Sequence, residues 1–72
     1  MTIGQRVAQA IRERTNRKVK PELVRMDVCL CNFYDWENGK TNPSAYVLQQ
    51  MALAGYDIYW ILTGERKKYV NY

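Results

Sequence analysis

Ile3, Val7 and Ile11 recur at four-residue intervals with Ala8 and Ala10 beside them, which is the apolar stripe of an amphipathic helix running from Thr2 to about Thr15. The stripe stops at Thr15-Asn16-Arg17-Lys18, a polar and basic connection rich in residues that cap or turn a chain. Pro21 then suits a first helical turn, where its missing N–H is not needed, so Pro21 to Met26 is predicted as a short second helix. Asp27 tolerates the left-handed conformation of a tight corner, which places a turn at Asp27 and Val28.

From about Cys29 to Asn38 the pattern allows a third helix, anchored by Phe33 and Trp36 one turn apart and ended by Gly39. Lys40, Thr41 and Asn42 form a polar link to Pro43. Ala45, Leu48, Met51 and Ala52 mark a fourth helix over about Ser44 to Ala54, closed by Gly55. Asp57 caps a fifth containing Ile58, Trp60, Ile61 and Leu62, which Thr63 and Gly64 stop. Residues 1–65 are thus expected to form one compact, all-α, five-helix domain. Residues 66–72 form a tail whose Tyr69, Val70 and Tyr72 are β-prone but have no partner strand in the chain.

Composition narrows the function classes. At 72 residues there is room for one small core and none for a separate sensing domain. No apolar run approaches the roughly 20 residues of a membrane span, and Arg6 and Arg12 interrupt any signal-peptide core, so a cytoplasmic protein without membrane contact is expected. Histidine is absent, and no nucleophile–base pair, carboxylate cleft or phosphate-cradling glycine loop can be assembled, which argues against an enzyme, a metal site or a cofactor. Cys29 and Cys31, two apart on a helix, would point about 200° from each other, so reduced thiols are expected. The net charge is +4, and Arg12, Arg14, Arg17, Lys18, Lys20 and Arg25 concentrate the positive charge in one stretch, as a polyanion partner would require.

Two short helices joined by a tight turn suggest a helix-turn-helix unit, whose second element lies in the major groove. More specific are two segments in order. Trp36-Glu37-Asn38-Gly39-Lys40-Thr41-Asn42-Pro43-Ser44 resembles the W-E-x-G-K-T-x-P-S segment that ends the recognition helix in the phage repressor and Cro-type (lambda repressor-like) family. Trp60-Ile61-Leu62-Thr63-Gly64-Glu65 is similar to that family's W-L-L-T-G-E close. The resemblance spans about residues 3 to 65 and implies a lambda-repressor-like fold with Trp36 and Trp60 in the core. The chain departs from the pattern at Leu23, where a small alanine is usual, and at Asp27, where the turn glycine is usual.

Counting about 100° per residue from Trp36, the face of the third helix opposite the core carries Cys31, Tyr34 and Asn38, flanked by Leu30 and Asp35. These are the candidate base contacts. Asn38 suits adenine, Leu30 a thymine methyl, Asp35 a cytosine amine, and Tyr34 a phosphate or a stacked base. Arg17, Lys18, Lys20, Lys40, Thr41 and Asn42 are the candidate backbone contacts. The expected partner is double-stranded DNA in a bacterial nucleoid. It would be bound by a homodimer joined through the end of the fifth helix and the tail, acting as a phage or prophage regulator. The competing reading is a protein-interaction module, an inhibitor or antirepressor docking through Leu30, Cys31 and Tyr34.

Overall fold

The computed structural model describes residues 1–66, among which there are five helices and no strand. They are α1 (Ile3–Arg14), α2 (Lys20–Arg25), α3 (Leu30–Glu37), α4 (Ala45–Leu53) and α5 (Ile58–Thr63). Each falls where the apolar pattern predicts one, with ends displaced by about a residue because the predicted terminal residues serve as caps. Thr2 precedes α1 in extended conformation and forms a capping box with Gln5: the Gln5 N–H donates to the Thr2 hydroxyl at 3.0 Å, and the Thr2 N–H to the Gln5 side-chain Oε1 at 2.9 Å. Ser44 and Asp57 accept from Val47 and Trp60 backbone N–H groups in the same way. α2 starts one residue before Pro21, behind Val19, which offers no side-chain cap.

The core is one cluster. Val7, Ala8 and Ile11 of α1, Leu23 of α2, Phe33 and Trp36 of α3, Val47 and Met51 of α4 and Ile61 of α5 are buried together with Val19 and Met26. Trp60 is only partly buried and packs on the outside of this cluster, with the Arg66 guanidinium stacked on its ring. α1 is the central element and packs chiefly against α3, then α5. The α1–α3 approach is close enough that a Cβ on Gly4 would strike the Thr41 carbonyl oxygen and come within 3.1 Å of the Trp36 Cα and Cβ. The Gly4 N–H meanwhile donates to Asn42 Oδ1 at 2.8 Å, so the link after α3 is tied to the start of α1. Arg6 ties α5 to the same helix, donating from Nε to the Ile61 carbonyl and from Nη1 to the Met1 carbonyl, both at 2.7 Å.

Two corners turn through left-handed backbone at residues other than glycine. Asp27, at φ 57°, makes the α2–α3 turn as expected for an aspartate in that place, and the Val28 N–H donates back to the Leu23 carbonyl at 2.8 Å. After α1, Asn16 (φ 53°) and Arg17 (φ 70°) are both left-handed, and the Arg17 N–H reaches the Arg12 carbonyl at 2.8 Å. Leu23 fills the inner face of α2 and is buried. No helix among the described residues is long and apolar enough to cross a membrane. The proposed dimerisation strand, Tyr69, Val70 and Tyr72, lies outside the described residues.

Candidate nucleic-acid interface

α3 is held against α1. At its C-terminus Glu37 forms a bidentate ion pair with Arg12 of α1, one arm being Nη2 to Oε1 at 2.9 Å, and Gln5 donates to the Glu37 carbonyl at 3.5 Å. The Arg12 guanidinium also lies over the Phe33 ring, 5.1 Å from its centroid. Hydrogen bonding from Arg12 holds the Glu37 carboxyl below its usual range and, reciprocally, the Arg12 guanidinium above its own. No local sequence signal joins residues 25 positions apart, and by sequence alone Arg12 is simply part of the basic run.

That run is divided by its partners. Arg12 belongs to Glu37. Arg25 pairs with Glu22 at 2.6 Å and Arg14 stacks on the Tyr56 ring at 4.3 Å. Tyr56 donates its hydroxyl to Glu22 at 2.5 Å; burial, aided by that carboxylate, pushes the phenol well above its ordinary value. Arg17, Lys18 and Lys20 form no ion pair among the described residues. All three are exposed and line, with Pro21, Leu30 and Tyr34, an open groove of about 470 Å³ between the α1–α2 connection and α3. The structure therefore gathers three of the six candidate backbone contacts beside two of the candidate base contacts.

The outward face of α3 carries Cys31, Tyr34 and Asn38, all exposed, as the helical count placed them. Tyr34 is 48% exposed, its ring edge against Phe33 with centroids 6.1 Å apart. Asp35 is half-buried on the flank and has no ion-pair partner among the described residues. Leu30 is half-buried and packs against the core, so it offers an edge, not a full side chain, to a ligand.

On the other side of α3, Thr41 and Asn42 line a second groove with Asn32, Ser44 and Tyr46. This flank mixes polar and apolar side chains and carries no charge apart from Asp27, and Asn42 has its amide oxygen already engaged by Gly4. Lys40 is exposed just past Gly39, its N–H donating to the Asp35 carbonyl at 2.9 Å. Asn32 escaped the helical count because it lies only about 40° from Trp36 on a helical wheel. It stands in the first turn, however, and is exposed there.

Besides the core placement expected for Trp60, which is only partly buried, a second sequence expectation is overturned. Cys29 and Cys31 are joined by a disulfide. The two side chains diverge only where both residues lie on the helix, whereas Cys29 is the N-cap in extended conformation (φ −72°, ψ 143°), which swings its side chain back over the first turn. Its Sγ accepts from the Cys31 N–H at 3.2 Å.

Compared with protein-family models, curated proteins and solved structures, the chain matches none. Function therefore rests on the site.

Proposed function

We propose that this protein is a sequence-specific DNA-binding transcriptional regulator with a lambda-repressor-like helix-turn-helix fold, α2 and α3 forming the motif and α3 reading the major groove. The observation that carries this reading is the exposed ridge of Cys31, Tyr34 and Asn38 standing directly beside a groove whose three cations, Arg17, Lys18 and Lys20, form no ion pair among the described residues. Cations beside a protruding helix neutralise phosphates on one strand while the helix presents side chains to base edges. Thr41, Ser44 and Asn32 supply neutral hydrogen-bonding groups to the opposite strand, so the two flanks divide charge attraction from positioning. Sequence discrimination falls to Asn38 and Asn32 amides and the Tyr34 hydroxyl, with no arginine on α3 to grip guanine. Low to moderate affinity per domain follows, and a homodimer on a palindromic operator, repressing as phage repressors and Cro-like proteins do, supplies the remainder. Tyr59 and Leu62, one turn apart on α5 and 47% and 45% exposed, are apolar surface suited to that pairing.

The deciding experiment is selection of genomic fragments by the purified protein, followed by a salt series on the best fragment. An enriched palindrome, weakened by the Tyr34→Ala/Asn38→Ala double variant, supports the proposal. Lys18→Ala and Lys20→Ala should each lower the salt slope by about one without changing sequence preference. Absence of enrichment with feeble, sequence-blind binding sinks it. In that event the second reading, a protein-docking module, is favoured by the exposed Tyr34 and by Val24, which stands 77% exposed on α2.

A further inference from the structure

The disulfide sits where α3 begins, within the face proposed to meet DNA. Cys29 accepts twice at the helix start through its carbonyl, from the Asn32 N–H at 3.0 Å and the Phe33 N–H at 3.2 Å, and once through its Sγ, from the Cys31 N–H. It thereby serves two of the N–H groups that a helix N-terminus leaves without intrahelical partners, those of Cys31 and Asn32, and accepts the first regular helical bond from Phe33. Between the two cysteines, Leu30 is pinned against the core at the rim of the basic groove. Both cysteines are exposed, so a small thiol or disulfide reaches them without unfolding the domain. A bond across only three residues removes little entropy from the unfolded chain, so stabilising the fold is a poor account of it.

We propose that Cys29-Leu30-Cys31 is a thiol–disulfide exchange site for low-molecular-weight disulfides of the glutathione class, and that its oxidised form orders the start of α3 and tightens DNA binding. The affinity part rests on the DNA-binding reading; the exchange chemistry does not. In the forward direction the Cys29 sulfur, having released its proton, attacks one sulfur of the small disulfide. A mixed disulfide forms and one small thiolate leaves, which takes up a proton. The Cys31 sulfur, likewise deprotonated, then attacks Cys29 Sγ, closes the intramolecular bond and expels the second thiolate, which is protonated in turn. The protein dithiol loses two electrons and two protons, and the small disulfide gains both as two thiols. Reduction reverses these steps, releases Cys31 from Cys29 and lets the first turn fray.

The test uses the full chain equilibrated over a series of reduced-to-oxidised glutathione ratios, with three readouts on the same samples: free thiols by alkylation and mass, exchange of the Asn32 and Phe33 amides, and anisotropy on random-sequence duplex DNA at low salt. Oxidation should give one intramolecular disulfide, slow both amides, and tighten DNA binding about fivefold, the factor set by ordering roughly one residue's backbone. In the Cys29→Ser/Cys31→Ser variant, whose serine at 29 can still cap α3, affinity should not depend on the ratio. The proposal is overturned by thiols that stay free or form only mixed disulfides, by amides that exchange alike in both states, or by DNA affinity indifferent to the ratio. DNA binding absent in both states, with amides that do respond, instead overturns the DNA-binding reading and leaves the exchange site standing.

Discussion

Replacing Gly4 by alanine sets two physical effects against each other. Intrinsic propensity favours alanine over glycine in a helix by up to about 1 kcal/mol, and less near an end, so a sequence-based argument expects G4A to stabilise α1. The tertiary structure opposes it. The new methyl would collide with the Thr41 carbonyl oxygen and press on the Trp36 backbone at 3.1 Å, and neither neighbour is the movable tip of a flexible side chain. Relieving the collision means moving α1 away from α3 or displacing the link after Gly39, at an overpacking cost of about 1–3 kcal/mol. The same movement stretches the hydrogen bond from Gly4 N–H to Asn42, worth about 1 kcal/mol more. The net result should be destabilisation by roughly 1–3 kcal/mol, which in a domain this small lowers Tm by about 5–20 °C. Urea unfolding followed by fluorescence of Trp36 and Trp60 measures it. A G4A protein as stable as the parent, or more so, would refute the claimed α1–α3 approach. An Asn42→Ala variant, which loses only the hydrogen bond, should fall between the two.

Arg17 occupies left-handed backbone at φ 70°, a conformation costing a residue with a side chain about 1 kcal/mol, so Arg17→Gly should leave stability level or slightly raised while weakening the proposed DNA binding and lowering its salt slope by about one. Loss of stability with retained binding would reverse both assignments. Glu22 and Glu37 have carboxyl groups held below their ordinary values by Arg25 and Arg12, so their contribution to stability is complete above the unfolded value of about 4.3 and fades as pH falls through the depressed folded values. Urea midpoints should hold steady from pH 7 to 5 and fall below that, with the fall shallower in Glu37→Gln; identical midpoints at pH 6 and 3 would contradict the ion pairs. Tyr56, whose phenol is raised by burial and by Glu22, contributes stability that is full below the unfolded value near 10 and is lost above it. Tyr56→Phe should therefore blunt alkaline unfolding, and an unchanged alkaline limb would count against the Tyr56–Glu22 bond.

Local chemistry determined the elements. Apolar spacing of three and four, caps at Thr2, Ser44 and Asp57, and stops at Gly39, Gly55 and Gly64 are written in neighbouring residues, so all five helices and the left-handed Asp27 were legible to within about a residue. The outward positions of Cys31, Tyr34 and Asn38 were legible for the same reason, since one buried tryptophan and a fixed angle per residue orient a short helix. What needed the tertiary structure were relations between distant residues and departures at helix ends. The basic run reads as six equal charges until Glu37, brought in by packing, takes Arg12 out of it, while Glu22 pairs with Arg25 locally, one turn away on α2. Leu30 counts as a surface residue until the core is seen to claim part of it. Asn32 and Cys29 mislead an ideal wheel because the first turn protrudes past the core and the N-cap is not helical, and it is that cap geometry which brings two sulfurs together where a regular helix would have held them apart.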